Sequence, residues 1–286
     1  MGAVKLKTER ATTLVILSPK AGSLTPEADA KIRRAFAGCL IVDFDPKMDL
    51  DELVTPTGTV IVAGGDGTIG WVVRHLVDTK HPVGILSLGT FNNFARSLHL
   101  PTTVDAAIRV IKAGKPRPIT LGRVNGQVFL EAAAIGLFGE TIAAGDAAKD
   151  FEFGSFAEAA KHVLAARRFK YALSGDINGD GAALSLVFTN TKSIGTQMPV
   201  SEKTPMDPFL ELSIHAGATR SDIVKRVLAR AVLAKGEDDL AQTFRFRKLQ
   251  VTARPKVRIY ADNQRAGFTP ATITAEVSAL RIILPR

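Results

Sequence analysis

Val60-Ile61-Val62-Ala63-Gly64-Gly65-Asp66-Gly67-Thr68-Ile69-Gly70 joins an apolar run to a glycine-rich turn. Val60 to Ala63 make a strand with no polar face, and strands covered on both faces belong to parallel sheets. The glycines then let the backbone turn tightly and approach a ligand without Cβ clashes. Ile69, Val72, Val73, Leu76 and Val77 recur at helical spacing, so a helix follows the loop. Its N-terminus brings unpaired N–H groups and a partial positive charge to the same spot, where phosphate is the natural occupant. Asp66 is a poor phosphate partner and suits a metal ion, a ribose hydroxyl or proton abstraction. Thr68 is placed to cap the helix and to donate to a phosphate oxygen. The plainer alternative is a strand-to-helix turn capped by Thr68.

Two neighbouring stretches repeat the pattern. Thr13 to Leu17 is a β-rich run ending in the turn chemistry of Ser18-Pro19-Lys20-Ala21-Gly22. Val83 to Leu86 is another, ending at Gly89-Thr90-Phe91-Asn92-Asn93. Leu40 to Val42 adds a short strand. Helical patterns run from Pro26 to Ala37, from Asn92 to Leu98 and from Val104 to Ile111. Alternating strands and helices give a parallel sheet with helices on both faces. Ligands bind such sheets at the carboxyl ends of the strands. Ser18–Gly22, Gly64–Thr68 and Gly89–Asn93 are therefore expected on one edge.

The character changes after Pro118. Ile119 to Val124, Asn125-Gly126 and Gln127 to Leu130 read as a hairpin on a type I′ turn. Further β signals lie at Ala183–Thr189, Phe209–His215, Phe244–Thr252, Val257–Tyr260 and Ala271–Leu284, with helical patterns at Ala157–Arg168 and Asp222–Leu233. The expected organisation is an α/β domain over residues 1–118 and a β-rich, sandwich-like domain over 119–286, the last strand being a candidate to return to the first domain.

Composition narrows the classes. Of 286 residues, 46% are hydrophobic and 23% charged, which fits a folded chain. The single cysteine, Cys39, forbids an internal disulfide and fits a reducing compartment. The expected setting is cytoplasmic, since no signal peptide and no run of the ~18 apolar residues of a membrane span is present. A formal charge of +9 suits anionic partners. With 6% aromatics, a base-stacking surface is disfavoured, and no nucleic-acid partner is expected. The histidines show no metal-ligand spacing.

The loop lacks the Gly-Lys-Ser/Thr of a Walker motif and does not fit a dinucleotide fingerprint. It resembles the loop shared by the diacylglycerol kinase catalytic family, sphingosine-kinase-like proteins, NAD kinases and phosphofructokinases. Ser18-Pro19-Lys20-Ala21-Gly22 looks like the lipid kinases' Asn-Pro-x-Ala/Ser-Gly. Gly89-Thr90-Phe91-Asn92-Asn93-Phe94-Ala95-Arg96 is similar to their Gly-Thr-x-Asn-Asp-Phe-Ala-Arg. Ala133 to Glu140 resembles a Gly-Ile-Gly-Phe stretch, and Asp207-Pro208-Phe209-Leu210-Glu211-Leu212 their Asp-Gly-x-Leu-Asp-Val.

The resemblance implies an ATP-dependent lipid kinase, with the acceptor hydroxyl in a cleft between the domains. ATP contacts would be Ser18, Pro19, Lys20, Ala21 and Gly22, then Gly64, Gly65, Asp66, Gly67, Thr68, Ile69 and Gly70, with Gly89, Thr90 and Asn92. It implies Mg2+ held by Asp207 and the carbonyls of Thr204 and Phe209, Asp207 otherwise being a solvated turn residue. The proton acceptor is Asp262 or Asp66. Gln264 stands where the family has a catalytic glutamate, and an amide does not titrate. Ser18 replaces an asparagine, Gly70-Trp71 an Asn-Glu pair, and Asn93 an aspartate. These departures leave open a second reading, a nucleotide-binding regulatory protein without phosphoryl transfer. Trp71 reads either as a partly buried residue of the domain interface or as a cleft-lining residue that changes acceptor choice. Arg245, Arg247, Lys248, Arg254, Lys256 and Arg258 alternate along strands, as a solvated face or as a surface for anionic lipid at the inner membrane face. A homodimer is carried as an option.

Overall fold

The apolar runs of the N-terminal half form parallel strands in the computed structural model, which describes residues 13–54, 58–139, 167–194, 198–216, 242–262 and 264–286. These residues fall into two units, one within Met1–Pro118 together with Ala279–Arg286 and one within Ile119–Ser278.

The first unit contains β1 (Thr13–Leu17), α1 (Pro26–Ala35), β2 (Leu40–Asp43), α2 (Leu50–Leu53), β3 (Thr59–Gly64), α3 (Asp66–Leu76), β4 (Pro82–Ser87), α4 (Asn93–Ser97) and α5 (Val104–Ala113). Thr25 caps α1 by accepting from the Ala28 amide, with Pro26 at the first helical position, where its missing N–H costs nothing. The strands lie in the order β2-β1-β3-β4, all parallel. Their register sets Leu17 beside Ala63 and Gly64 beside Ser87, so the loops that follow leave from one edge. Val15, Leu17, Ile61, Ala63 and Leu86 pack against Ile32 and Phe36 of the α1 region and Ala107 and Ile108 of α5. The α3 helix buries Ile69, Val72, Val73 and Leu76, the apolar stripe expected of it. The chain's last strand also pairs here, Ile282 running parallel beside Val83.

The second unit is entered along β5 (Lys115–Val124). It contains β6 (Gln127–Phe129), β7 (Ala132–Gly136), β8 (Phe169–Gly175), β9 (Gly179–Ala183), β10 (Ser185–Thr189), β11 (Ser193–Ile194), β12 (Met198–Pro199), β13 (Leu210–His215), β14 (Gln242–Phe246), β15 (Lys248–Arg254), β16 (Arg258–Ala261), β17 (Gln264–Phe268) and most of β18 (Ala271–Leu284). The β5–β6 hairpin turns on Asn125 (φ 48°) and Gly126 (φ 89°), the left-handed pair a type I′ turn requires. One sheet runs β14-β13-β10-β7-β16-β17, and the other pairs β18, β15, β8 and β9. Phe188, Leu212 and Ile259 of the first share a core with Phe169, Leu249, Val251 and Ile273 of the second. That is a sandwich, and the expected fold class holds.

Two readings change and a third is largely untested. Phe244–Thr252 is not one strand: the chain breaks at Arg247, β14 pairing with β13 and β15 with β18 and β8. The β8–β9 hairpin was not expected, because its solvent side is Lys170, Ala172 and Ser174 and its return strand opens on Gly179-Asp180-Gly181, residues poor in β propensity. Pairing with β15 holds it in place. The helical patterns at 157–168 and 222–233 lie outside the described residues, except that Arg167 and Arg168 are not helical. No helix among the described residues is long and apolar enough to cross a membrane.

Candidate functional site

The three loops meet. Ser18 N donates to Ala63 O at 2.8 Å, Leu88 N to Gly64 O at 2.8 Å, and Ser23 N to Leu88 O at 2.9 Å. A Cβ added at Gly89 would lie 2.8 Å from Gly65 Cα and 2.8 Å from Asn92 Oδ1, so the second and third loops touch through missing side chains. A Cβ on Gly22 would meet Thr90 Oγ1 at 3.5 Å. Asn92, buried and left-handed at φ 55°, fastens the third loop by accepting from Gly89 N at 2.9 Å and donating to Gly89 O at 2.8 Å. Its own amide donates to Asp66 Oδ2 at 2.8 Å and so ties the third loop to the second.

The helix after the glycine loop starts at Asp66, with Gly65 as its N-cap and no side-chain cap hydrogen bond. Thr68 is therefore not the cap. The helix is already under way at Asp66, and Thr68 is buried against Gly64, where a Cβ would lie 2.8 Å from the Thr68 Cβ. No side chain caps this end of α3. A carboxylate in the first turn, Asp66, also suits the helix dipole. Pro19, Lys20, Gly22, Gly67 and Thr90 are exposed around the loops, while Ser18, Ile69 and Gly70 are buried.

Trp71 is half-buried. Its ring stacks on His75 with centroids 3.8 Å apart and meets Phe44 edge-on at 5.4 Å. Both partners belong to the first unit. At Gly70 a Cβ would come within 3.0 Å of the Arg74 guanidinium.

The turn at Asp207 is built differently. Asp207 Oδ2 accepts from Thr204 N at 2.8 Å and from Thr204 Oγ1 at 3.1 Å. Beside it lies Lys203, only 2% exposed. Its Nζ donates to Thr204 O at 2.6 Å, to Asn190 Oδ1 at 2.8 Å and to Asn190 O at 3.4 Å. Burial pushes the Lys203 ammonium down to about 8, while Asp207 and Glu211 pull it up. Glu211 accepts from Ser201 Oγ and pairs with Arg245 at 3.3 Å, and Arg245 covers the Phe209 ring at 4.7 Å. Among the described residues, no group of three or more His, Cys, Asp or Glu could hold a metal. The expected Mg2+ ligand Thr204 O already answers an ammonium, so Asp207, Thr204 and Phe209 do not fit that ion. Lys203 gave no sequence signal, lying between Glu202 and Thr204 in a polar stretch that reads as a solvated loop.

Asp262, left-handed at φ 50°, sits after β16 with its carboxylate receiving backbone amides: Leu130 N at 3.1 Å, Glu131 N at 2.9 Å and Ala132 N at 3.4 Å. Its own amide donates to Ala132 O at 2.7 Å. It thus clamps the chain between β6 and β7. Gln264 is exposed, and its Oε1 accepts from Gln127 Nε2 at 3.3 Å.

Residues 12–124 match the family model described as Diacylglycerol kinase catalytic domain. A diacylglycerol kinase of Staphylococcus carnosus (strain TM300) is 42% identical over 79 residues, 27% of this chain and 26% of that one, so this match spans about a quarter of the relative. A diacylglycerol kinase of Bacillus subtilis (strain 168) is 26% identical over 238 residues, 79% of this chain and 78% of that one. Among solved structures, a diacylglycerol kinase from Bacillus anthracis str. Sterne superposes with TM-score 0.72 at 18% identity, covering 97% of this chain and 98% of that chain. An NAD kinase from Archaeoglobus fulgidus in complex with ATP does so with TM-score 0.55 at 14% identity, covering 96% and 93%. At these identities the structural likeness is one of fold.

Proposed function

We propose that the protein is an ATP-dependent kinase whose acceptor is a lipid hydroxyl, a reading supported by the match of residues 12–124 to the diacylglycerol kinase catalytic domain model. The observation that carries this reading is the meeting of three loops at the carboxyl edge of a parallel sheet, beside a helix end that no side chain caps.

ATP, as its magnesium complex, supplies the γ-phosphoryl group and leaves as ADP. The amides of Gly65, Asp66 and Gly67 and the first turn of α3 would face its phosphates, since both N–H groups and dipole favour negative charge there. Ser18–Gly22 and Gly89–Asn92 would wall the same cradle, with Lys20 adding a positive charge. In transfer, the acceptor oxygen bonds to phosphorus as the bond to the ADP oxygen breaks, and the hydroxyl proton passes to a carboxylate. Of the two candidates we assign Asp66. It stands in the loop that would hold the phosphates and receives the Asn92 amide on Oδ2, while the oxygens of Asp262 are engaged by three backbone amides. Phosphoryl transfer depends mainly on positioning and charge neutralisation, so Gln264 in place of a glutamate does not preclude it. No step is assigned to the Asp207 turn.

A kinase for a lipid works at a membrane surface. The outward residues Lys170, Lys248 and Arg254 are exposed on neighbouring strands, and each basic residue near an anionic leaflet is worth about 1 kcal/mol. The test is ADP release by the purified protein with Mg2+-ATP and anionic vesicles doped with diacylglycerol, monoacylglycerol or sphingosine. Release that depends on one of these lipids supports the reading. ATP bound but never consumed with any of them would reject it.

A further inference from the structure

At the Asp207 turn, the oxygens that would receive a metal already face a cation of the chain's own. Lys203 has three ammonium protons, and three oxygens lie within reach: Thr204 O, Asn190 Oδ1 and Asn190 O. The pocket is built for it. Asn190 is fully buried, and its Nδ2 is spent on Thr120 O at 3.1 Å and Leu130 O at 2.9 Å, which turns Oδ1 toward the ammonium. Asp207 and Glu211 both act on Lys203 with favourable charge, and Lys203 Nζ also lies 5.8 Å from the Phe209 ring centroid. Asp207 Oδ2 is meanwhile occupied by two donors of Thr204. Mg2+ demands near-octahedral oxygens at ~2.0–2.1 Å and gives up its water reluctantly. An ion bonded to Thr204 O would be within a few ångströms of a buried like charge, where repulsion is least screened.

We propose that the Lys203 ammonium is the resident cation of this turn, holding Thr204 and Asn190 together beneath Asp207 in the structural place of a divalent metal, and that the turn binds no metal. The proposal does not depend on the kinase reading, because its readouts need neither nucleotide nor turnover.

The experiment uses the full chain without nucleotide. Thermal unfolding of the wild type is expected to be the same in EDTA and in excess Mg2+, and Lys203→Met to lower the Tm by about 5 °C or more, since it strands buried acceptors. An unchanged Tm in Lys203→Met would overturn the proposal. So would a wild-type Tm that Mg2+ raises and Asp207→Asn no longer shows. Where Lys203→Met fails to fold, Mn2+ binding to the wild type and to Asp207→Asn, read by electron paramagnetic resonance, decides. Equal binding by both supports the resident ammonium, and a Mn2+ site lost in Asp207→Asn contradicts it.

Discussion

The glycine loop at Gly64–Thr68 and the turn at Asp207 solve opposite problems. At the first, side chains are removed. Gly64 yields to Thr68, Gly65 and Gly89 touch through bare Cα atoms, and α3 starts without a side-chain cap. In the proposed function, an anion from outside would meet the amides there. At the second, a side chain is added. Lys203 fills the turn, and the oxygens around it are already hydrogen-bonded. The difference teaches that a polar turn is a ligand site only where the chain's own groups leave partners unmatched. An acidic residue in a turn says little until its neighbours' donors are counted.

That contrast can be broken from either side. The largest effect is expected for Asp66→Asn, which keeps an acceptor for the Asn92 amide but removes the proposed base. Turnover should fall by about 100-fold or more while ATP affinity, read by calorimetry, changes little. Gly89→Ala comes next. Its methyl would press on Gly65 and Asn92, and ATP affinity should fall at least about tenfold, with about 1–3 kcal/mol lost from stability. On the other side, Asn190→Ala should cost about 2–3 kcal/mol in denaturant unfolding, because it leaves Lys203 and two buried carbonyls short of partners, without altering ATP binding.

The smallest effect belongs to an exposed charge. The amides of Arg247 and Lys248 hold the Asp176 carboxylate below the usual range. Its folded value is depressed, so the stability it adds is present above the ordinary carboxylate range and lost as pH falls through the depressed value. Asp176→Asn should remove that slope from a pH series of Tm, with a small drop in Tm at neutral pH and a low-pH Tm nearly unchanged.

The first unit was legible because its signals are local. Val60–Ala63 is apolar without alternation, the glycines follow at once, and Ile69, Val72, Val73 and Leu76 mark the helix face that is in fact buried. The meeting of the three loops follows from parallel register, which chain order already implies. Thr68 is ambiguous in sequence because capping and packing use the same residue types, and the burial against Gly64 that separates them is tertiary. In the second unit the signals are long-range. The β8–β9 hairpin is polar on its open side and is fixed by β15, more than seventy residues on. Lys203 is ordinary in sequence. Asn190, thirteen residues earlier, makes it a site. Asp262 was seen as a carboxylate in a family position, but its bonds to the 130–132 amides depend on a strand pairing no local pattern shows.

The central claim is that the meeting loops form a cradle for ATP. Calorimetric titration of Mg2+-ATP into the wild type and Gly89→Ala tests it most directly. Saturable binding to the wild type, lost or weakened at least about tenfold in Gly89→Ala, is expected. No saturable binding to the wild type, or equal binding by both, would contradict it.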